Sequence, residues 1–370
     1  MEIVSCLFVC ITIWYLLNII WLIYGFTKVK SFENENLKPK TKFSIIIPFR
    51  NEQENLPKLL SSIEKLNYPN DLFEVILVDD ESDFRFQILD FRFLQITLID
   101  NIRKTNSPKK DAINTAISIA KNDWIITTDA DCLVQPNWLA TFDAFIQKNN
   151  PKMIAAGVFY KKKNGFLDAF QQLDFLSLQG TTIGSFGNKQ AFMCNGANFC
   201  YQKTFFHELN GFDGNDKVAS GDDVFLLQKA IMKDRNNVYF LKSEVAIVQT
   251  KTEKTWKDLF NQRVRWASKT GNYNSLYSKQ LGISVLVMNL FWILSFCFLL
   301  LGMINTDYFV LLLFSKFLVD FVLLYKTSSF FKTRLNYVLF GSLLYPLFCV
   351  SVGFYSFFGS YSWKGRSFKK

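Results

Sequence analysis

The chain has 370 residues, of which 49% are hydrophobic, 17% aromatic and 20% charged, so it is more apolar than an ordinary soluble enzyme of this length. Its formal net charge of +10 suits nucleic acid, an anionic membrane surface or a phosphorylated substrate. Because no nucleic-acid-binding signature is present, we predict no nucleic-acid partner, and seven cysteines without a C-x-x-C pair argue against a zinc site or disulfide scaffold.

The first predicted element is a membrane-spanning helix. Residues 3–24 are uncharged and almost wholly apolar, so we predict a transmembrane helix within residues 1–26. A signal peptide is the competing interpretation, which the lack of a basic leader and of a small-residue cleavage site disfavours. A basic linker over residues 27–42 follows, with five lysines. By the positive-inside bias, the domain after this linker is expected to be cytoplasmic.

The middle of the chain, residues 43–280, reads as an α/β domain. Short apolar runs at 43–47, 73–78, 96–99 and 124–128 predict strands, and helical stretches are expected near 53–66 and 109–120. Strands separated by helices indicate a largely parallel sheet covered on both faces. In such sheets, ligands bind at the carboxyl ends of the strands.

Polar clusters follow three of the predicted strands. They are Pro48 to Glu52 after the first, Asp79 to Ser82 after the second, and Asp129-Ala130-Asp131 after the fourth. Two carboxylates of a D-x-D triplet are hard oxygen ligands of the kind that Mg²⁺ or Mn²⁺ takes together with substrate phosphates. Directly after a buried strand, the triplet is a candidate metal site, although two aspartates at this spacing are also common in turns.

Two further acidic pairs have two interpretations each. Asp79 and Asp80 either cap a helix over 82–90 or recognise a base or ribose. Asp222 and Asp223, after Gly221, either begin an ordinary helix over 224–233 or supply a base for an acceptor hydroxyl.

A third polar group lies on a predicted helix over 255–268. Gln262, Arg265 and Trp266 share one face of it, where arginine can grip phosphate and tryptophan can stack on a sugar. An amphipathic interfacial helix is the alternative.

Lys109 and Lys110 either support a phosphate or lie on a solvated helix face. The single histidine, His207, is expected on the exposed side of a short helix, which disfavours Ser-His-Asp chemistry.

The last part of the chain, residues 281–360, is predicted to cross the membrane two to four times, before a basic tail over 361–370. Apolar stretches lie at 282–304, 307–325 and 335–358. The third either crosses once or bends back as a hairpin between Gly341 and Pro346. Lys316 and Asp320 lie four residues apart within the second stretch and are expected to form an intramembrane pair.

Taken in order, these motifs resemble membrane-integrated glycosyltransferase family 2. The resemblance covers residues 43–270, and its motifs are Ser44 to Glu52, Val78 to Ser82, Lys109 to Asn114, Asp129 to Asp131, Asn195 to Phe199, Asn210 to Asp213, Ser220 to Asp223, and a Q-x-x-R-W pattern from Gln262 to Trp266. The last pattern is similar to that of ceramide-type glucosyltransferases and polysaccharide synthases. The sequence departs from the family at Glu81, where a glycine is usual.

The resemblance implies a GT-A (Rossmann-like) fold and inversion at the anomeric carbon. It also implies roles for particular residues: donor binding for Pro48, Arg50, Glu52, Asp79, Lys110 and Asp129, metal binding for Asp131, the base for Asp223 with Asp222 beside it, and contact with acceptor and diphosphate for Gln262, Arg265 and Trp266.

The expected function is therefore transfer of a sugar from a nucleotide-diphosphate donor, with uridine diphosphate implied by the resemblance. The expected cofactor is Mg²⁺ or Mn²⁺. The acceptor is expected to be a lipid or glycan at the cytoplasmic face of the cell membrane, in a multi-pass protein. A processive polysaccharide synthase is the alternative of the same class. A catalytically inactive membrane scaffold with a nucleotide-binding domain is the alternative of another class, which the complete set of acids disfavours.

Overall fold

The structure is a computed structural model that describes residues 2–33, 37–83, 91, 94–161, 164–215, 220–273, 275–358, 361–363 and 366–368. The helix expected over 82–90 therefore lies largely outside the described residues. The chain divides into two compact units. We call Val29–Lys161 with Ala191–Lys251 the sheet unit, and Met1–Lys28 with Lys162–Gln190 and Thr252–Lys370 the helical unit.

In chain order, the helices and strands of the described part are α1 (Glu2–Lys28), β1 (Phe43–Phe49), α2 (Leu56–Ile63), β2 (Phe73–Asp79), β3 (Ile96–Asp100), α3 (Pro108–Ile119), β4 (Trp124–Thr127), α4 (Trp138–Asn149), β5 (Met153–Ala156), β6 (Val158–Tyr160), α5 (Phe166–Gly187), β7 (Phe199–Gln202), α6 (Lys203–Glu208), α7 (Asp222–Asp234), β8 (Val238–Leu241), β9 (Val248–Thr250), α8 (Trp256–Ala267), α9 (Leu276–Leu300), α10 (Thr306–Phe330), α11 (Val338–Phe358), β10 (Tyr361–Trp363) and β11 (Arg366–Phe368).

The sheet unit is built on a mixed sheet with the strand order β3-β2-β1-β4-β7-β5-β8. The first four strands are parallel, and β7 runs antiparallel to both of its neighbours. Strands β1 and β2 are almost wholly buried, which explains their largely apolar sequences, and the buried Ser44 hydroxyl donates to Glu74 across the two strands. All four predicted strands are present, and the predicted α/β fold class is confirmed.

The strand register decides which loops meet at one edge of this sheet. Phe49 pairs with Asp79, and Asp79 pairs with Asp100, so β1, β2 and β3 end at the same level. On the other side of β1, Thr127 pairs with Ile46. The strand order reverses at β1, where the chain leaves towards β2 and later returns as β4, and ligands of such sheets bind at this point.

The helical unit contains the apolar helices of the chain. Four helices of the described part are long and apolar enough to cross a membrane, namely Leu7–Lys28, Leu276–Leu300, Thr306–Phe330 and Val338–Phe357. Helix α11 continues through Pro346, so the hairpin considered for this stretch is not formed. The predicted pair of α10 is confirmed, with Lys316 Nζ 2.7 Å from Asp320 Oδ2, and the Tyr15 hydroxyl of α1 donates to Asp320 at 2.6 Å.

Helices α1 and α5 pack at a distance that only glycine permits. A Cβ on Gly184 would stand 2.4 Å from the carbonyl oxygen of Leu22, and one on Gly25 would stand 2.0 Å from that of Gly184. At Gly187 the distance to the Gly25 carbonyl oxygen would be 1.8 Å. Glycines thus bring the two backbones into direct contact, as small residues do between membrane helices.

We expect Gly184→Ala to destabilise the protein by about 1–3 kcal/mol, because the added methyl group forces α5 away from α1. Gly282→Ala is the matched control, since Gly282 lies in α9 with no atom within 4 Å of an added Cβ. Because alanine favours a helix, that change should stabilise the protein by up to about 1 kcal/mol. Thermal unfolding in detergent micelles compares the two, and equal midpoints would contradict the tight α1–α5 contact.

Candidate functional site

The turns after β1 and β2 interlock through side chains. Arg50 Nη1 donates to the Asp80 carbonyl oxygen at 2.9 Å and lies 3.4 Å from the Glu81 carboxylate. The backbone N–H of Asn51 donates to Ser82 Oγ at 2.9 Å. These contacts hold the two turns together as one edge of the sheet unit.

Glu81 takes the backbone conformation that the family's usual glycine favours. Its φ is +59°, in the left-handed region that costs a residue with a Cβ about 1–2 kcal/mol. Asp79, with 9% of its surface exposed, accepts a hydrogen bond from the Ser82 backbone N–H at 2.9 Å. The turn is therefore formed in spite of the departure at Glu81, and Asp79 stabilises it. The nucleotide-binding role of Asp79 stays a prediction.

Arg103, which no sequence motif identified, lies beside the predicted residues. Its guanidinium is 3.3 Å from Asp80 Oδ1 and 3.5 Å from Asp111 Oδ2. Asn101 also donates to Asp80 Oδ1 at 2.7 Å. The Asp80 carboxylate is thus engaged in support of the turn after β2.

The other half of the site lies where β4 ends and α3 and α7 begin. Lys109 Nζ is 2.6 Å from Asp129 Oδ1 and 3.5 Å from Asp222 Oδ2. Lys110, which the motif had assigned to the donor, is 1% exposed, donates to the Asn215 carbonyl oxygen and lies 5.2 Å over the Phe225 ring. The structure therefore brings Lys109 to the predicted carboxylates, and the role of Lys110 stays a prediction.

Gly196 packs against this group of charges. A Cβ there would stand 3.0 Å from Asp222 Oδ2 and 3.3 Å from Lys109 Nζ. The Gly196 N–H donates to Asp223 Oδ2 at 2.9 Å, and its carbonyl oxygen accepts from Thr127 Oγ1 at 2.6 Å. Any Cβ at this position would therefore press against both charged groups. We call Lys109, Asp129, Asp222 and Asp223 around Gly196 the charge cluster.

The environment keeps the Lys109 ammonium charged. Burial by itself lowers the pKa of Lys109, but Asp129, Asp222 and Asp223 raise it, and the result lies above the ordinary value for lysine. The loss of hydration is therefore outweighed by attraction to three carboxylates. The two adjacent aspartates differ in surroundings, because Asp222 is buried and Asp223 is half-buried at the start of α7.

A fully buried amide fixes the loop that carries Gly196. Asn198 Nδ2 donates to the carbonyl oxygens of Gly157 and Ala246, both at 2.8 Å. Its Oδ1 accepts from Trp138 Nε1 at 3.0 Å. With all of these hydrogen bonds made in the core, Asn198 joins four segments of the sheet unit and sets the position of Gly196 two residues earlier.

Asp131 is the predicted metal ligand, and this role stays a prediction. Its carboxylate is partly exposed and lies 3.4 Å from Thr250 Oγ1. The described residues contain no group of three or more His, Cys, Asp or Glu side chains that could hold a metal. One or two carboxylates with substrate phosphates are, however, a usual set for Mg²⁺. Burial raises the pKa of the adjacent Cys132 thiol, which makes it a poor ligand.

The predicted acceptor residues lie in the helical unit, on α8. Gln262 Nε2 donates to Glu253 Oε1 at 2.5 Å, and Trp266 lies 4.3 Å from the Arg263 guanidinium, measured to the ring centroid. Arg263 itself is buried and ion-paired with Asp174 of α5 at 2.5 Å. Arg263 thus anchors α8 to α5, and the predicted roles of Gln262, Arg265 and Trp266 stay predictions.

Comparison with known proteins relates the chain to a described family. Residues 44–209 match the family model described as Glycosyl transferase family 2. Among curated proteins, the chain is 27% identical to Probable glycosyltransferase YdaM of Bacillus subtilis (strain 168), over 68% of this chain and 64% of YdaM. It is 24% identical to Glycosyltransferase GlyG of Streptococcus pneumoniae, over 58% of this chain and 75% of GlyG. The chain thus spans somewhat less than two thirds of YdaM.

Among solved structures, the chain is similar to the mannosyltransferase PcManGT from Pyrobaculum calidifontis, in complex with GDP-Man and Mn²⁺. The TM-score is 0.57 at 14% identity, over 96% of this chain and 99% of that one. This likeness shows a shared fold, and with it the expected GT-A type of fold is confirmed.

The strain at Glu81 gives a stability prediction. Glu81→Gly should be about 1 kcal/mol more stable than Glu81→Ala, because both lose the carboxylate near Arg50 and only glycine accepts a φ of +59° without strain. Equilibrium unfolding by urea measures the difference. An alanine variant as stable as the glycine variant would show that the turn carries no strain.

Proposed function

The chain carries a glycosyltransferase family 2 domain over residues 44–209, and from this premise we propose that it transfers a sugar from a nucleotide-diphosphate donor to an acceptor at a membrane. The single observation that carries the proposal is the charge cluster, in which the Lys109 ammonium joins Asp129 to Asp222, and Asp223 accepts from the Gly196 N–H, at one edge of the sheet. Sugar transfer needs separate groups for the donor diphosphate and for the acceptor proton, and this cluster supplies both.

The proposed donor is a nucleotide sugar, with uridine diphosphate as carrier. Asp79 ends β2 beside the strand-order reversal at β1, where nucleotides bind in sheets of this kind. PcManGT, which shares the fold, is in complex with the nucleotide sugar GDP-Man. Pro48, Arg50 and Glu52 complete the proposed donor-binding edge, and the choice of uridine rests on the family resemblance.

The proposed cofactor is a divalent metal, Mg²⁺ or Mn²⁺, held by Asp131. The partly exposed carboxylate of Asp131 lies two residues beyond Asp129, and PcManGT contains Mn²⁺. When bound, such an ion stabilises the negative charge of the departing diphosphate. Asp129 is proposed to lie next to the donor sugar and its diphosphate.

Asp223 is proposed as the base, with inversion at the anomeric carbon. Its carboxylate accepts hydrogen bonds from the backbone N–H groups of Gly196 and Val224, at 2.9 and 2.7 Å, which fix its orientation. Asp223 is half-buried, whereas Asp222 is buried and ion-paired with Lys109, so Asp223 is the better placed to meet an acceptor. The acceptor oxygen bonds to the anomeric carbon, its proton goes to Asp223, and the diphosphate leaves with the electron pair.

The proposed acceptor is a lipid or a membrane-proximal glycan, met at the cytoplasmic face of a cell membrane. Four helices of the described part could cross a membrane, and lysines are frequent in residues 27–42. From the family resemblance, Gln262, Arg265 and Trp266 are proposed to hold the acceptor and the diphosphate. The apolar helices favour an acceptor that lies in the bilayer or at its surface.

Incubation of the purified protein with UDP- and GDP-sugars, Mn²⁺ and a membrane lipid extract tests the proposal. Mass spectrometry of the products should find a lipid that carries one added hexose. A long glycan would favour a processive synthase instead. If no sugar is transferred or hydrolysed from any donor, the proposed function is wrong.

We expect Asp223→Asn to lower transfer by about 100- to 10,000-fold, because the amide cannot accept the acceptor proton. Metal-dependent nucleotide binding should fall far less than transfer does, because the proposed metal ligand Asp131 and donor residue Asp79 are unchanged, although the amide gives up one of the two backbone hydrogen bonds that the carboxylate accepts. Asp71→Asn, at an exposed acid before β2, is the control for loss of one charge. Product formation by the Asp223 variant at the original rate would rule out this base.

We expect Asp131→Ala to abolish the dependence of nucleotide binding on Mn²⁺. Calorimetric titration with UDP, with Mn²⁺ and with EDTA, should show about a tenfold or greater difference for the original protein and none for the variant. Asp100→Ala removes an exposed acid from the carboxyl end of β3 and is the matched control. An unchanged effect of Mn²⁺ in the Asp131 variant would exclude Asp131 as its ligand.

A further inference from the structure

Lys109 takes no part in the proposed transfer, although it lies at the centre of the charge cluster. Its ammonium stands 2.6 Å from Asp129 Oδ1 and 3.5 Å from Asp222 Oδ2. These two acids come from different segments, the end of β4 and the start of α7, while Lys109 belongs to the first turn of α3. A single ammonium thus joins three segments that the chain brings together from far apart.

The ammonium lies where negative charges meet, and a bound cation would be attracted to the same place. It lies against the Cα of Gly196, where a Cβ would be 3.3 Å from Nζ and 3.0 Å from Asp222 Oδ2. Carboxylates that lie this close repel one another strongly outside bulk water, and a positive charge between them offsets that repulsion. The Lys109 side chain is 19% exposed, so it is mostly covered by protein but not sealed from solvent.

A divalent cation at Asp131 would bring a second positive charge to the same group of acids. Asp129 lies two residues before Asp131 and is already paired with Lys109. The ammonium and the metal would then attract the same carboxylate and repel each other. A donor diphosphate changes this balance, because it offers the ammonium new negative oxygens.

We propose, on the basis of the proposed function, that Lys109 is an exchangeable cation: without donor it neutralises Asp129, and when metal and nucleotide bind it releases Asp129 and pairs with the diphosphate. Each ligand therefore raises the affinity for the other. The metal weakens the Lys109–Asp129 ion pair that keeps the ammonium from the nucleotide, and the nucleotide weakens the same ion pair, which keeps the charge of Asp129 from the metal. The metal alone binds weakly, because Lys109 competes with it for the charge of Asp129.

Lys109 suits this exchange, and the neighbouring Lys110 does not. Its four-carbon stem is flexible, and its ammonium donates in three directions, so one side chain can serve a carboxylate and then a phosphate. Lys110, by contrast, is 1% exposed and donates to the carbonyl oxygen of Asn215. Only Lys109 of this pair combines contact with Asp129 and partial exposure.

The test compares Lys109→Met with Lys109→Arg, which keeps the charge, and with Lys58→Met, which removes the charge of an exposed lysine on α2. Electron paramagnetic resonance measures the binding of Mn²⁺ alone, and calorimetry measures the binding of UDP and of GDP, each with Mn²⁺ and with EDTA. Thermal unfolding in EDTA and in Mn²⁺ gives a readout that needs no nucleotide.

Lys109→Met should bind Mn²⁺ alone about tenfold more tightly and bind the nucleotide in EDTA about tenfold more weakly. The two affinities thus move in opposite directions, which a merely structural role of Lys109 would not produce. The factor by which nucleotide strengthens Mn²⁺ binding should shrink towards one. Lys109→Arg and Lys58→Met should bind Mn²⁺ alone as the original protein does. In EDTA the methionine variant should unfold at a lower temperature, and Mn²⁺ should restore most of the loss.

Weaker or unchanged binding of Mn²⁺ alone by Lys109→Met would overturn the proposal, even if nucleotide binding fell. If that variant does not fold, Lys109→Gln, which also removes the charge, is judged by the same two affinities. Should the original protein bind neither UDP nor GDP in Mn²⁺, the proposed function fails and the exchange fails with it. Nucleotide binding by the original protein, with both affinities lowered in the variant, would sink the exchange alone.

Discussion

Carboxylates repel one another, yet the sheet unit brings Asp129 and Asp222 to the Lys109 ammonium and holds Asp222 and Asp223 against Gly196. The arrangement depends on the ion pair of Lys109 with Asp129, because this short contact balances charge that the fold concentrates at one edge. It also depends on the lack of a side chain at Gly196, because a methyl group there would contact both Asp222 and Lys109. The core supports the cluster from behind through Asn198, whose hydrogen bonds are satisfied without water.

The opposite half of the site is organised by backbone geometry instead of charge balance. The turns after β1 and β2 meet because Phe49 and Asp79 are partners in the register, and Arg50 then connects the turns. Glu81 keeps a left-handed conformation within this contact. Strained residues persist where their surroundings hold them, and such places are often ligand-binding edges. Donor binding at this edge would therefore find a turn that is already formed.

Much of this could be predicted from the sequence, because periodicity and turn residues act locally. The apolar runs of β1 and β2 and the clusters after them were correctly located, as were the paired Lys316 and Asp320 and the exposed His207 of α6. Successive helix residues point about 100° apart, so a sequence motif with two lysines could not tell which one reaches Asp129. That choice depends on how α3 packs. Arg103 was missed because an isolated polar residue carries no periodic signal, and Asn198 lay within the Asn195 to Phe199 motif without a role assigned to it.

The contact between α1 and α5 has a consequence for how the protein is made. Gly25 and Gly184 touch, but more than 150 residues separate them, including most of the sheet unit. At about 5–20 residues per second, the ribosome takes roughly 8–30 s to reach the second glycine after the first. Throughout that time α5 is absent, and the backbone of α1 that will contact it at Leu22 and Gly25 is not covered by it. Biogenesis of this protein therefore includes an interval in which α1 is complete but its tight contact with α5 cannot yet form.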